Sequence, residues 1–147
     1  NSKIKPCNNC KYCRNYNGCI LKDDMKHVYD YIQKCDNIVI ASPIYYSELT
    51  EQLLAIFSRL QTYLCARLFR KEEPIQKSKR GGVILVGGCG DDCGRVYETS
   101  CRILNQMNVL EVAPVVYLHH EDEKSVLKEA MSVDGTNKLA KYFNMVS

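Results

Sequence analysis

Four of the chain's nine cysteines fall within the thirteen residues "CNNCKYCRNYNGC". Cys7, Cys10, Cys13 and Cys19 follow the spacing C-x2-C-x2-C-x5-C. Two-residue gaps let successive thiolates curl around one centre. Three such sulfurs suit three corners of an iron-sulfur cubane, with the fourth coming from a few residues on; bacterial ferredoxins use a similar C-x2-C-x2-C run. Gly18 helps the chain turn back just before Cys19. Zinc is the plainer reading, although structural zinc sites usually bring two cysteine pairs from separate turns. Four free thiols on a surface loop is a third. The spacing points to a metal more strongly than to any one metal.

Two further stretches have unusual chemistry. In "SPIYY", Ser42 offers a hydroxyl, Pro43 fixes one backbone angle, and Tyr45 and Tyr46 offer flat faces with polar tips. With Ile44 between them, this loop suits a planar heteroaromatic ring; equally, its tyrosines suit a cap on the core or an oligomer contact. In "GGCGDD", Gly87, Gly88 and Gly90 flank Cys89 and allow a ligand close to the backbone. Asp91 and Asp92 make it a poor phosphate cradle and leave it suited to the neutral edge of a ring. Cys89 and Cys93 have no basic neighbour and read as inert. Cys35, Cys65 and Cys101 fall in helical patterns and read as small buried hydrophobes. His119, His120 and Glu121 read as the solvated end of a strand. No Ser–His–Asp or paired-carboxylate constellation is visible.

The elements that position these residues alternate between helix and strand. "DDMKHVYDYIQKC" has helical apolar spacing, with Asp24 as its expected N-cap. "NIVIAS" (37–42) is a short buried strand. Residues 49–68 read as one long amphipathic helix, with Leu53, Phe57, Leu60 and Leu64 on its apolar face. "KSKRGG" reads as a loop before the strand "VILV" (83–86). A helix over 96–107 and a strand over 109–120 follow; Pro114 puts that strand at a sheet edge or a bulge. Two helices separated at Gly135 close the chain. Strands separated by helices imply a parallel sheet with right-handed crossovers. Apolar strands imply helices on both faces, and ligands at the carboxyl ends of the strands. Both unusual loops leave those ends.

At 147 residues the chain suits one domain. A net charge of +3 without a basic stripe argues against a nucleic-acid surface. No apolar run approaches a membrane span, and no secretory signal opens the chain. Nine cysteines is an odd number, so not all can pair within the chain. The clustered thiols read as a metal or redox group in a reducing, cytoplasmic compartment.

The stretches "IKPCNNCKYC…GCILKDDM", "NIVIASPIYYSELTEQLLAIFSRL" and "GGVILVGGCG" together resemble the flavodoxin-like NAD(P)H-dependent FMN reductase superfamily, nearest its iron-sulfur flavoprotein branch. The resemblance implies a doubly wound, three-layer α/β/α domain with strand order 2-1-3-4-5 and bound FMN. It implies that Cys7, Cys10, Cys13 and Cys19 hold a [4Fe–4S] cluster. Ser42, Pro43, Ile44, Tyr45 and Tyr46 match one loop beside the flavin ring, and Gly87, Gly88, Cys89 and Gly90 match the other. It also implies an NAD(P)H or ferredoxin donor, a small-molecule or protein redox partner, and assembly as a dimer or tetramer. The helix reads "LLAIFSR" where the family reads like "LKAFIDR", with Leu54 for Lys and Ser58 for Asp, while Arg59 is kept. The chain begins at "KIKP", which reads as the tail of a second strand. The first strand and phosphate loop, in a stretch of about 40 residues, are expected to be missing, leaving one edge of "NIVIAS" unpaired. Two rival functions remain: a non-enzymatic metal-binding module with idle flavin loops, and a cluster-free reductase of quinones, nitro compounds or azo dyes.

Overall fold

The centre of the sheet is β2 (Lys79–Val86), which is buried on both faces. In this computed structural model, which describes residues 3–87, 93–118 and 130–145, β2 pairs in parallel with β1 (Asn37–Pro43). On its other side lie β3 (Val109–Val112) and then β4 (Val116–Leu118), also parallel. This order matches the last three strands of the expected 2-1-3-4-5 sheet. The sheet is open, and among the described residues β1 has a strand on one side only. No helix among them is long and apolar enough to cross a membrane.

The main core lies on one face of the sheet. Ile40, Val83, Leu85 and Val109 pack there against Met25 and Ile32 of α2 (Met25–Lys34), Leu60, Tyr63, and Val96 and Leu104 of α5 (Cys93–Gln106). On the opposite face Val116 and Ala113 meet Leu139 of the C-terminal helix, Ala130–Asn144, with Ile84 and Phe143 alongside. That helix covers β2 and β4 but does not extend over β1, whose Val39, Ala41 and Pro43 stay exposed. Among the described residues, helices thus cover both faces of the sheet at β2 and one face at β1.

Four expectations change. "KSKRGG" is not all loop: Lys79 to Gly82 belong to β2. Glycine weakens a strand, but here close packing demands it. A Cβ on Gly81 would lie 2.7 Å from Val109 Cγ1, and one on Gly82 would lie 2.7 Å from Leu139 Cδ1. The long helix over 49–68 is broken into α3 (Glu51–Ser58), α4 (Gln61–Cys65) and a π-helical turn, Ala66–Arg70. The strand over 109–120 is interrupted between Val112 and Val116, around Pro114, as the missing N–H of proline requires. The last helix runs through Gly135, where a Cβ would lie 2.9 Å from Val116 Cγ1, so this glycine serves helix–sheet contact and not a break. The stretch 119–129, with His119, His120, Glu121 and most of "DEKSVLKEAM", lies outside the described residues.

Gly81→Val should overpack the wall formed by Val109 and Leu104 and cost about 1–3 kcal/mol of stability. Urea unfolding followed by circular dichroism measures it. An unchanged midpoint would show that the strand does not need glycine there.

Candidate functional site

The cysteine loop runs in extended form toward α1 (Tyr12–Asn15) and is held from outside itself. The Cys7 N–H donates to Ser58 Oγ at 2.9 Å, and Ser58 in turn donates to the Ala55 carbonyl at 2.7 Å. The Arg70 guanidinium donates to the Cys13 carbonyl. Arg14 stacks over Phe69, 4.7 Å from the ring centre. Asn9 and Lys11 take left-handed backbone angles that fold the loop back on itself. Gly18 has φ +82° with nothing near the position of a Cβ, so the turn itself requires glycine.

These restraints bring all four predicted thiols onto one cavity of about 270 Å³. Cys7 and Cys10 are exposed there, and Cys13 and Cys19 are half-buried. Leu64, Leu68 and Phe69 give the cavity an apolar wall. The thiols surround the space without converging: among the described residues, no three His, Cys, Asp or Glu side chains are grouped to hold a single metal ion. A fifth sulfur, Cys65, lines the same cavity and is buried. Burial, and then the neighbouring Cys65 thiol, push the Cys13 thiol up to about 11. Sequence reasoning placed Cys65 among inert core residues. The missed signal is the helix break, which turns Cys65 toward the cysteine loop.

That break occurs at Arg59 and Leu60. Backbone hydrogen bonds tighten there, with Arg59 N–H on the Ile56 carbonyl and Tyr63 N–H on the Leu60 carbonyl. Arg59 is 1% exposed and lines the cysteine cavity. Its Nη1 meets Asp23 Oδ2 at 2.7 Å and its Nη2 meets Oδ1 at 3.1 Å. Nη1 also donates to the Lys5 carbonyl and Nη2 to the Leu21 carbonyl. The Tyr29 hydroxyl donates to the Arg59 carbonyl at 2.9 Å. Asp23 accepts further bonds from the Lys5 and Met25 N–H groups. The Arg59 hydrogen bond leads the factors that hold Asp23's carboxyl below its ordinary range. Asp24 occupies the N-cap position of α2 as expected, but its carboxylate binds the Lys3 N–H; Asp23 serves the first turn of the helix instead.

The second predicted loop lies at the carboxyl end of the sheet. Pro43 is opposite Val86, and the Ile44 N–H donates to the Val86 carbonyl. Gly87 has φ +148°, and the position of its Cβ lies 3.5 Å from the Ile44 carbonyl oxygen, so the two loops touch. Gly88, Cys89 and Gly90 lie outside the described residues. Ser42 is buried, and its hydroxyl is used within the loop: it donates to the Pro43 carbonyl and accepts from the Thr50 N–H ahead of α3. Tyr45 and Glu48 close a tight turn with two mutual backbone bonds, and Tyr46 and Ser47 between them have φ +51° and +60°. Tyr46 is fully exposed. Beneath this turn a groove of about 730 Å³ runs past Leu49, Leu54 and Ile56 to Pro6 and Ser58. The groove and the cysteine cavity thus lie against the same piece of chain, Pro6–Cys7 with Ser58–Arg59.

A family model described as NADPH-dependent FMN reductase matches residues 1–123, and the chain belongs to that family. It is 33% identical over 88 residues to an iron-sulfur flavoprotein of Methanosarcina thermophila, covering 60% of this chain and 43% of that protein. It is 34% identical over 115 residues to an iron-sulfur flavoprotein of Methanocaldococcus jannaschii, covering 77% and 54%. These relatives support the iron-sulfur flavoprotein branch, and the chain spans about half of their length. The fold is shared with the Trp repressor binding protein of Bacillus subtilis, with TM-score 0.64 and 19% identity over 81% of this chain and 71% of that one. It is also shared with general stress protein 14 of Treponema denticola in complex with FMN, with TM-score 0.58 and 18% identity over 84% and 73%.

Asp23→Ala strands the Arg59 charge in the interior and should cost about 3–5 kcal/mol. Because Asp23 titrates lower when folded than when unfolded, the pair's contribution is complete above about pH 4 and is lost as pH falls through the folded value. Urea unfolding across acidic pH should therefore show a shallower acid loss in the variant than in the native chain. Parallel profiles would contradict this.

Proposed function

We propose that the chain is the cofactor-holding part of an FMN-dependent oxidoreductase in which Cys7, Cys10, Cys13 and Cys19 carry a [4Fe–4S] cluster. It moves electrons between a reduced donor, NAD(P)H or ferredoxin, and an acceptor. The observation that carries this reading is the shared wall: a thiol-lined cavity and an apolar groove under the Tyr45–Tyr46 turn lie against the same piece of chain, Pro6–Cys7 with Ser58–Arg59. The names of the relatives, and the solved neighbour bound to FMN, agree with it.

The donor set fits a cluster. It is all sulfur, which suits iron-sulfur chemistry and zinc alike. A single zinc ion draws its thiolates to one point, with Zn–S distances of about 2.3 Å. All four thiols line one cavity, and the relatives' name, iron-sulfur flavoprotein, favours the cluster over zinc. When bound, FMN exchanges electrons singly or in pairs and the cluster exchanges them one at a time.

The remaining work falls to the chain's own groups. Leu64, Leu68 and Phe69 limit water on one side of the thiols. Arg59 and Ser58 fix the loop that carries Cys7. Ser42 braces the turn that presents Tyr45 and Tyr46, so contacts to a ring edge fall to the backbone of Ile44, Tyr45, Tyr46 and Gly87, with Gly88–Gly90 completing the set. Leu54, exposed beside this groove, suits the subunit contact of a homo-oligomer.

Anaerobic reconstitution of the intact protein with iron, sulfide and FMN tests the proposal. Wild type should show flavin bands together with broad brown absorption. Cys10→Ala should lose most bound iron and the brown absorption while keeping the flavin bands. Colourless protein that binds zinc would favour the metal-binding module. NAD(P)H-dependent activity fully retained in Cys10→Ala would favour a reductase that needs no cluster.

A further inference from the structure

Arg59 carries more hydrogen-bonding capacity than the chain uses. A guanidinium has five N–H donors in a fixed fork. Those on Nη1 and Nη2 reach the Asp23 carboxylate and the Lys5 and Leu21 carbonyls. Nε is buried, and among the described residues nothing accepts from it. Leaving a buried donor unpaired costs free energy, and native interiors avoid it. The side chain cannot swing out to find water, because Asp23 grips both ends of its fork. The same side chain lines the cavity of the four predicted ligand thiols. Of those thiols, Cys19 lies two residues before Leu21, whose carbonyl the guanidinium holds. A protonated thiol is a weak acceptor, whereas a thiolate bound to iron is a good one.

We propose that Arg59 is the tuning residue of the thiolate-held centre, its buried Nε–H, unpaired in this structure, donating to a cysteine sulfur on the cavity wall when the centre is bound. This rests on the cluster reading given above. A cationic donor on a ligand sulfur stabilises the more negative, reduced cluster, and so raises its reduction potential. Arg59 is a positioning and tuning group: it acts through a ligand sulfur and takes no part in electron transfer itself. The Asp23 grip gives the arrangement its direction. It neutralises much of the guanidinium charge at one end of the fork and leaves one oriented donor for the sulfur.

The test uses intact protein loaded with iron and sulfide, and labelled with 15N only in arginine. Pulsed electron paramagnetic resonance of the reduced cluster should show a 15N coupling. The coupling should persist in Arg14→Lys, which replaces the other arginine on the cavity wall. Arg59→Lys keeps the positive charge but loses Nε. It should abolish the coupling and shift the midpoint potential to more negative values at unchanged iron content. Loaded wild type without an arginine coupling overturns the inference. So does a coupling that disappears in Arg14→Lys, or an Arg59→Lys protein with unchanged potential. If Arg59→Lys fails to fold, the wild-type and Arg14→Lys spectra still decide. Wild type that takes up no iron or sulfide defeats the cluster reading itself, and this inference with it; the three preceding outcomes leave that reading standing.

Discussion

A guanidinium removed from water must find a carboxylate, and the site is built around the one that Arg59 finds. The Asp23–Arg59 pair joins three pieces of chain that are distant in sequence: the segment leading to Cys7, the turn between Cys19 and α2, and the helix that crosses behind them. A buried ion pair of this kind contributes little net stability, because both charges have lost their hydration. Its contribution is positional. Lys5, Leu21 and Asp23 all present oxygens to one planar fork, and a fork accepts only one arrangement of them. The helix pays for that arrangement by breaking at Arg59. Beyond the break, Cys65 and the following π-helical turn supply part of the cavity wall.

Much of this was legible in the sequence because it depends on local pattern. Cysteine spacing placed four thiols together, since gaps of two residues leave little choice. Periodicity located β1, β2, α2 and α5 to within a few residues, except where packing overrode local preference. "KRGG" has the composition of a loop, yet it forms half of the central strand because Leu104, Val109 and Leu139 leave no room for a Cβ. The helix over 49–68 is continuous by pattern and broken by a charge. Arg59 lies off the apolar stripe of Leu53, Phe57, Leu60 and Leu64, so periodicity gave no sign that it would be buried. Nothing local identifies the partner as Asp23 and not Asp24, because that depends on the approach of residues 3–5. Cys65 is the small buried residue expected, but its place on the cavity wall depends on a second segment laid against its helix and is not a local property.

The loop beside β1 shows a different economy. Tyr46 and Ser47 both occupy left-handed backbone conformations that residues with side chains avoid, at roughly 1–2 kcal/mol each. The turn is kept in that state by the mutual bonds of Tyr45 and Glu48, and by the buried Ser42 hydroxyl, which ties the end of β1 to the start of α3. The Ser42 hydroxyl, expected beside the ligand, is also the brace of a preformed turn. Ordering a loop before a ligand arrives lowers the entropy that binding must overcome. The strain at Tyr46 and the exposure of its ring are two aspects of one arrangement, because a relaxed extended loop would not hold the ring out from the surface.

Ser58 and Arg59 are adjacent in sequence and face different cavities, which constrains how the two sites can move. Ser58 lines the groove under the tyrosine turn and holds the Cys7 N–H; Arg59 lines the thiol cavity and holds Lys5, Leu21 and Asp23. A shift of the helix break displaces both walls together. The two cavities therefore share a wall at Ser58 and Arg59. For a protein that passes electrons between two groups, a fixed separation is a direct benefit, since neither group then has to reorganise its surroundings to find the other. A structural module with a metal staple would have no reason to tie its staple to the floor of an apolar groove. The physical link between the two cavities is the feature of the fold on which the proposed redox role rests.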